Sequence, residues 1–91
     1  MCTHDTAHVS LSGSGKGAAG WFALSEASVY FDHPVHAPAD HTLNIDFINP
    51  QLGPASRVAL ELDPGSARAL AQAVLEALTR AEALLGTGTG G

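Results

Sequence analysis

The chain has 91 residues, 45% of them hydrophobic and 14% charged, with four basic and nine acidic residues giving a net charge of -5. That length allows one domain with one modest core, and the apolar fraction excludes a disordered chain. Lys16, Arg57, Arg68 and Arg80 are scattered along the sequence, which excludes binding nucleic acid through clustered phosphate contacts.

The opening, MCTHDTAH, has neither the basic nor the apolar region of a secretory signal. No apolar run approaches the roughly 20 residues that span a bilayer. A cytoplasmic protein without membrane or nucleic-acid partners is the expectation. A lone cysteine, Cys2, cannot form an internal disulfide.

Thr6 to Leu11 alternates, with Ala7, Val9 and Leu11 on one side and His8 and Ser10 on the other, which predicts a half-buried strand. Ser12 to Gly20, SGSGKGAAG, reads as a wide hairpin loop. It is not a phosphate-binding P-loop, because the required first glycine is replaced by Ser10. Trp21 to Asp32 is a second strand region, with room for a bulge at Ser25-Glu26-Ala27. Pro34 and Pro38 make the next eight residues a connection.

His41 to Asn49 is the clearest strand, with Leu43, Ile45 and Phe47 facing one way and Asn44 and Asp46 the other. A turn-rich loop follows, then a strand from Arg57 to Leu62. Asp63 suits a helix N-cap, Pro64 the first helical position and Gly86 the residue just past the end. Between them Leu70, Val74, Leu78, Ala81 and Leu85 form an apolar stripe opposite Arg68, Gln72, Glu76 and Arg80.

The expectation is an α+β domain over residues 1–86: a four-stranded antiparallel meander with one C-terminal helix packed on one face. Residues 87–91 read as a disordered Gly/Thr tail. Phe22, Leu24, Tyr30 and Ile48 fall on the second face, and Leu75 lies off the helix stripe. An apolar patch of that kind predicts a homodimer.

Three of the five histidines lie between Asp32 and Asp46, together with Asp40. Strand parity puts His33 on the side of Val29 and Phe31, and His41 on the side of Leu43 and Ile45. The two are expected to meet at the sheet rim, with His36 in the loop above. Removal of Met1 would leave Cys2 with an α-amine beside its thiol, a chelate for a soft or borderline metal. His4 would then be the third residue of an amine, amide and imidazole set that suits copper or nickel.

The predicted site is therefore Cys2, His4, His33 and His41, with His36 and His8 in reserve. The cofactor would be a divalent transition metal: zinc, iron, copper or nickel. None of the spacings matches a zinc-finger pattern. The expected function is that of a small metal-binding protein or a metal-dependent enzyme, since a bound metal can activate a substrate.

Two alternatives need no metal. In the first, His41 paired with Asp46, or His33 with Asp32, serves as a general base in an isomerase, cyclase or hydrolase, with Tyr30 or Asn44 holding the substrate. In the second, the chain is a non-catalytic dimeric module that binds a small-molecule ligand or another protein.

MCTHD at the start, GWF from Gly20, VYFDHPVHA from Val29 and HTLNIDFINP from His41 together resemble a family of short, uncharacterised bacterial proteins from high-GC genomes. The resemblance covers Cys2 to about Leu85. It implies no activity and lends no catalytic residues.

Overall fold

A computed structural model of the chain describes residues 6–33 and 40–86. Four strands form one antiparallel sheet in the order β1-β2-β3-β4, and a single helix follows. The strands are β1 (Ala7–Gly17), β2 (Gly20–Asp32), β3 (Thr42–Ile48) and β4 (Arg57–Leu62), and the helix is α1 (Pro64–Leu85). The fold is α+β.

Registration follows the hydrophobic alternation. Phe31 pairs with Leu43 and Leu43 with Leu62; Val29 pairs with Ile45 and Ile45 with Leu60; Ala27 pairs with Phe47 and Phe47 with Val58. Residues directly opposite in a ladder share a face, so these rows make one continuous apolar face. The other face carries Thr42, Asn44, Tyr30 and Asp46 in succession from the end where β3 begins, with Arg57, Ile48, Leu24 and Phe22 towards the opposite end.

The segment expected to be a wide loop is strand. β1 runs to Gly17, and only Ala18 and Ala19 turn the chain. The physical reason is visible in the register. Gly13 and Gly15 pair with Leu24 and Phe22, and a Cβ on Gly15 would come within 3.2 Å of Leu24 Cδ1. Gly15 and Gly17 leave the space that Leu24 and Phe22 fill. Gly20, at φ 115°, takes the positive φ that closes the turn.

The expected bulge also moves. β2 runs unbroken, and the register shift lies on β1, where Leu11 and Ser12 together face Ser25. The extra residue reverses the parity of β1. Val9 therefore shares a face with Ala27, while Gly13 lies on the side of Leu24.

Asn49 ends β3 and caps a 3-10 turn over Pro50–Leu52. Its side chain accepts from the Gln51 amide and donates to the Ala23 carbonyl. At α1, Asp63 Oδ1 accepts from the Ser66 amide at 2.7 Å, and Gly86, left-handed at φ 66°, donates to the Glu82 carbonyl. Both helix ends are as the capping residues predict.

At its first two turns the helix shares a cleft with the sheet, lined by Pro64, Ala67, Arg68 and Ala71 on one side and Phe31 and Leu43 on the other. From Leu70 onward every helical residue except Glu82 is exposed. The expectation of a helix laid across one face is therefore realised only at its start. Among the described residues Ala27 is the one buried apolar side chain.

Candidate functional site

Four chain ends converge at one edge of the sheet. β2 ends there at Asp32, β3 begins at Thr42, β4 ends at Leu62, and β1 begins at Ala7, which pairs with Val29. His33 and His41 bound the connection between β2 and β3 at this edge.

The two imidazoles are neighbours, with ring centroids 4.5 Å apart and planes inclined by 33°. The His41 ring also stacks on Phe31, at 5.7 Å and 12°. Phe31 belongs to the apolar face, so strand parity carries both histidines to that side.

His33 Nδ1 lies 3.1 Å from the Asp40 carbonyl oxygen. A carbonyl can only accept, so the bond puts the proton on Nδ1 and leaves the Nε2 lone pair for a ligand. Metal-binding imidazoles are commonly oriented in this way. The Asp32 carboxylate accepts from the His33 backbone amide at 2.7 Å, which fixes the start of the turn.

Beside this pair is a cleft of about 430 Å³ lined by Phe31, Leu43, Pro64, Ala67, Arg68 and Ala71. Its walls are mostly apolar, with the Arg68 guanidinium as the one charged group. Phe31 is common to the cleft and the histidine stack.

The remaining expected residues are placed as follows. Cys2, His4 and His36 lie outside the described residues. His8 sits on the opposite face, its Nδ1 3.2 Å from Ser28 Oγ and 3.6 Å from Glu26 Oε2. Its parity in β1 separates it from the His33–His41 pair. Among the described residues no group of three or more His, Cys, Asp or Glu side chains could hold a metal ion.

The expected catalytic pair of His41 and Asp46 is not assembled. Asp46 lies five positions along, on the polar face, where Arg57 Nη2 contacts Oδ1 at 2.8 Å and the Tyr30 hydroxyl donates to Oδ2 at 3.4 Å. An odd step along a strand reverses the face, which is why these two groups diverge.

Asp46 instead belongs to a polar network that sequence reasoning found only in part. Thr42 and Asn44 are buried, and Thr42 Oγ1 donates to Asn44 Oδ1 at 2.6 Å. Burial, then the Asp46 carboxylate, raises the Tyr30 phenol above its ordinary value of 10.0. Arg57 was legible only as an isolated cation. The signal for its role is its position at the start of β4, one diagonal step from Asp46.

These features define a small open-sheet α+β domain with a histidine-rimmed cleft at one end. The chain belongs to the family of unknown function DUF6295, whose family model matches residues 1–87. Comparison with curated proteins and with solved structures gave no match. No helix among the described residues is long and apolar enough to cross a membrane.

Proposed function

We propose that this protein is a homodimeric metal-binding module that holds a divalent transition metal (zinc, iron, copper or nickel) at the rim where His33 and His41 meet. The observation that carries this reading is the pairing of the two imidazoles, with His33 Nε2 left free by the bond from Nδ1 to the Asp40 carbonyl. Imidazole nitrogen suits all four metals.

Two imidazoles do not complete a coordination shell. Cys2 and His4 would supply the missing donors. The chain enters the sheet at the same edge, and the four residues from Thr6 back to Cys2 span up to about 14 Å. That reach is similar to the rise from Tyr30 to His33 on the neighbouring strand. In a reducing cytoplasm the cysteine stays a thiol, available to the metal as thiolate. His36, between the two rim histidines in sequence, is a further donor.

The test is elemental analysis of the untagged full chain with its native N-terminus. About one metal ion per chain is expected from a single site, with near-complete loss in His33→Ala and His41→Ala and partial loss in Cys2→Ser. Metal-free wild type, with stability unchanged in all three variants, would remove the metal and leave the second reading.

That second reading is a non-catalytic dimeric module binding an apolar ligand. It is favoured by the cleft between Phe31 and the start of α1, whose volume lies within the usual range for small-molecule sites. Homodimerisation, common to both readings, is supported by the uncovered apolar stripe of α1 and the half-exposed apolar face of the sheet. Sedimentation equilibrium tests it directly.

A further inference from the structure

We infer that in the dimer each α1 lies across the apolar sheet face of the partner, so that the two chains exchange helices. The inference rests on the homodimer reading and specifies how the copies meet. It begins with where α1 goes. After its first two turns the helix leaves its own sheet, and six of the ten large apolar side chains left exposed in the described chain belong to it. Leu75 is 64% exposed and Leu84 88%. Such a helix is unlike a solvated surface element, because its stripe has nothing to cover.

The same chain carries the complementary surface. From Ala27 to Phe31, and across β3 and β4, the apolar face bears no charged side chain. Apart from the end at Phe31 and Leu43, where the first turns of α1 lie, most of its residues are half-buried, and Val9 on the edge strand is exposed. The helix is long enough to cross the sheet. Leu70 to Leu85 is about 24 Å of helix, and four strands are about 14 Å across.

A second copy is the occupant because one two-fold operation covers the helix stripe and the apolar sheet face of both chains at once. On the helix stripe Leu70, Val74, Leu78 and Leu85 are 45–73% exposed, and on the sheet face Val9 and Phe31 are 45% and 37% exposed, so each chain offers apolar area to both sides of the interface.

The experiment uses the full chain as Cys2→Ser/Val9→Cys/Ala81→Cys, which places one thiol on the edge of the apolar face and one on the helix stripe. Nitrogen-15-labelled and unlabelled chains are unfolded and refolded together, treated with a short bis-maleimide and digested. Crosslinked peptides joining positions 9 and 81 are expected, about half of them of mixed isotope composition, as random pairing of two chains requires. Crosslinks confined to one isotope would put the helix on its own sheet and overturn the exchange. A dimer by sedimentation, in variant and parent alike, without any crosslink between 9 and 81 would also overturn it, leaving the homodimer intact. A monomeric parent would overturn both.

Discussion

Arg57 Nη2 lies 2.8 Å from Asp46 Oδ1, one diagonal step across the β3–β4 ladder. The carboxylate side chain is 19% exposed and the guanidinium 52%, so water screens much of the attraction. Removing Asp46 also takes the acceptor from the Tyr30 hydroxyl. Asp46→Ala is expected to cost about 1–2 kcal/mol, and Arg57→Ala less. The coupling between them in a double-mutant cycle should be about 0.5–1 kcal/mol. Urea unfolding of the four proteins measures it. Strictly additive losses would mean that the pair contributes nothing beyond its separate members.

Tyr30 is the only tyrosine in the sequence, so its titration can be read without ambiguity. Burial and the Asp46 carboxylate both disfavour the phenolate. Absorbance near 295 nm should therefore show an inflection above 10.0 in the folded protein and near that value in denaturant. A raised folded pKa makes the linked stability fully present below the unfolded value and lost as pH rises through the folded one. In Asp46→Asn the folded inflection should move down towards 10.0. An inflection at or below 10.0 in the native protein would contradict the partial desolvation of the ring and its contact with Asp46.

Much of this architecture was legible because it rests on period and on capping chemistry. Val29, Phe31, Leu43, Ile45 and Phe47 alternate strictly, and the register places them on one face. The same parity brought His33 and His41 to one side, where their rings meet. Asp63 and Gly86 marked the helix ends because orphan backbone groups there need a side-chain acceptor and a left-handed residue. The Gly-rich half of β1 was misread because glycine is usual in loops. Its own alternation, Gly13, Gly15 and Gly17 with Ser14 and Lys16 between, was the missed signal. His41 and Asp46 suit each other chemically as imidazole and carboxylate, but their odd spacing puts them on opposite faces. Where α1 goes after Ala71 depends on what it packs against, which one chain's hydrophobic pattern does not specify.

Gly20 closes the β1–β2 hairpin at φ 115°, a backbone region that residues with a Cβ rarely adopt. Open space surrounds its missing Cβ, so a substitution would meet backbone strain without a steric clash. Gly20→Ala should lower stability by about 1–3 kcal/mol. Gly13→Ala has equal room and no positive φ, and it should change stability by less than about 1 kcal/mol. Thermal or urea unfolding of the two variants side by side separates conformational strain from simple crowding. Equal losses would show that the turn accommodates alanine by another geometry.

Asp63 Oδ1 caps the first turn of α1 through the Ser66 amide, and the hydrogen bonds from Ser66 hold its carboxyl below the ordinary value of 3.8. The depressed value sets the sign. The cap's ionic contribution is present above the unfolded pKa and is lost as pH falls through the lower folded one. Asp63→Asn keeps an oxygen acceptor at the same place but removes the charge that favours the helix N-terminus. At neutral pH the thermal midpoint of wild type should lie above that of the Asn variant, and the gap should close as pH drops below 3.8. Asp63→Ala, with neither charge nor acceptor, should fall below both at every pH. If the wild-type and Asn midpoints keep a constant separation down to the acid limit, the carboxylate charge at the cap is not the source of the difference, and the depressed pKa has no consequence for the fold.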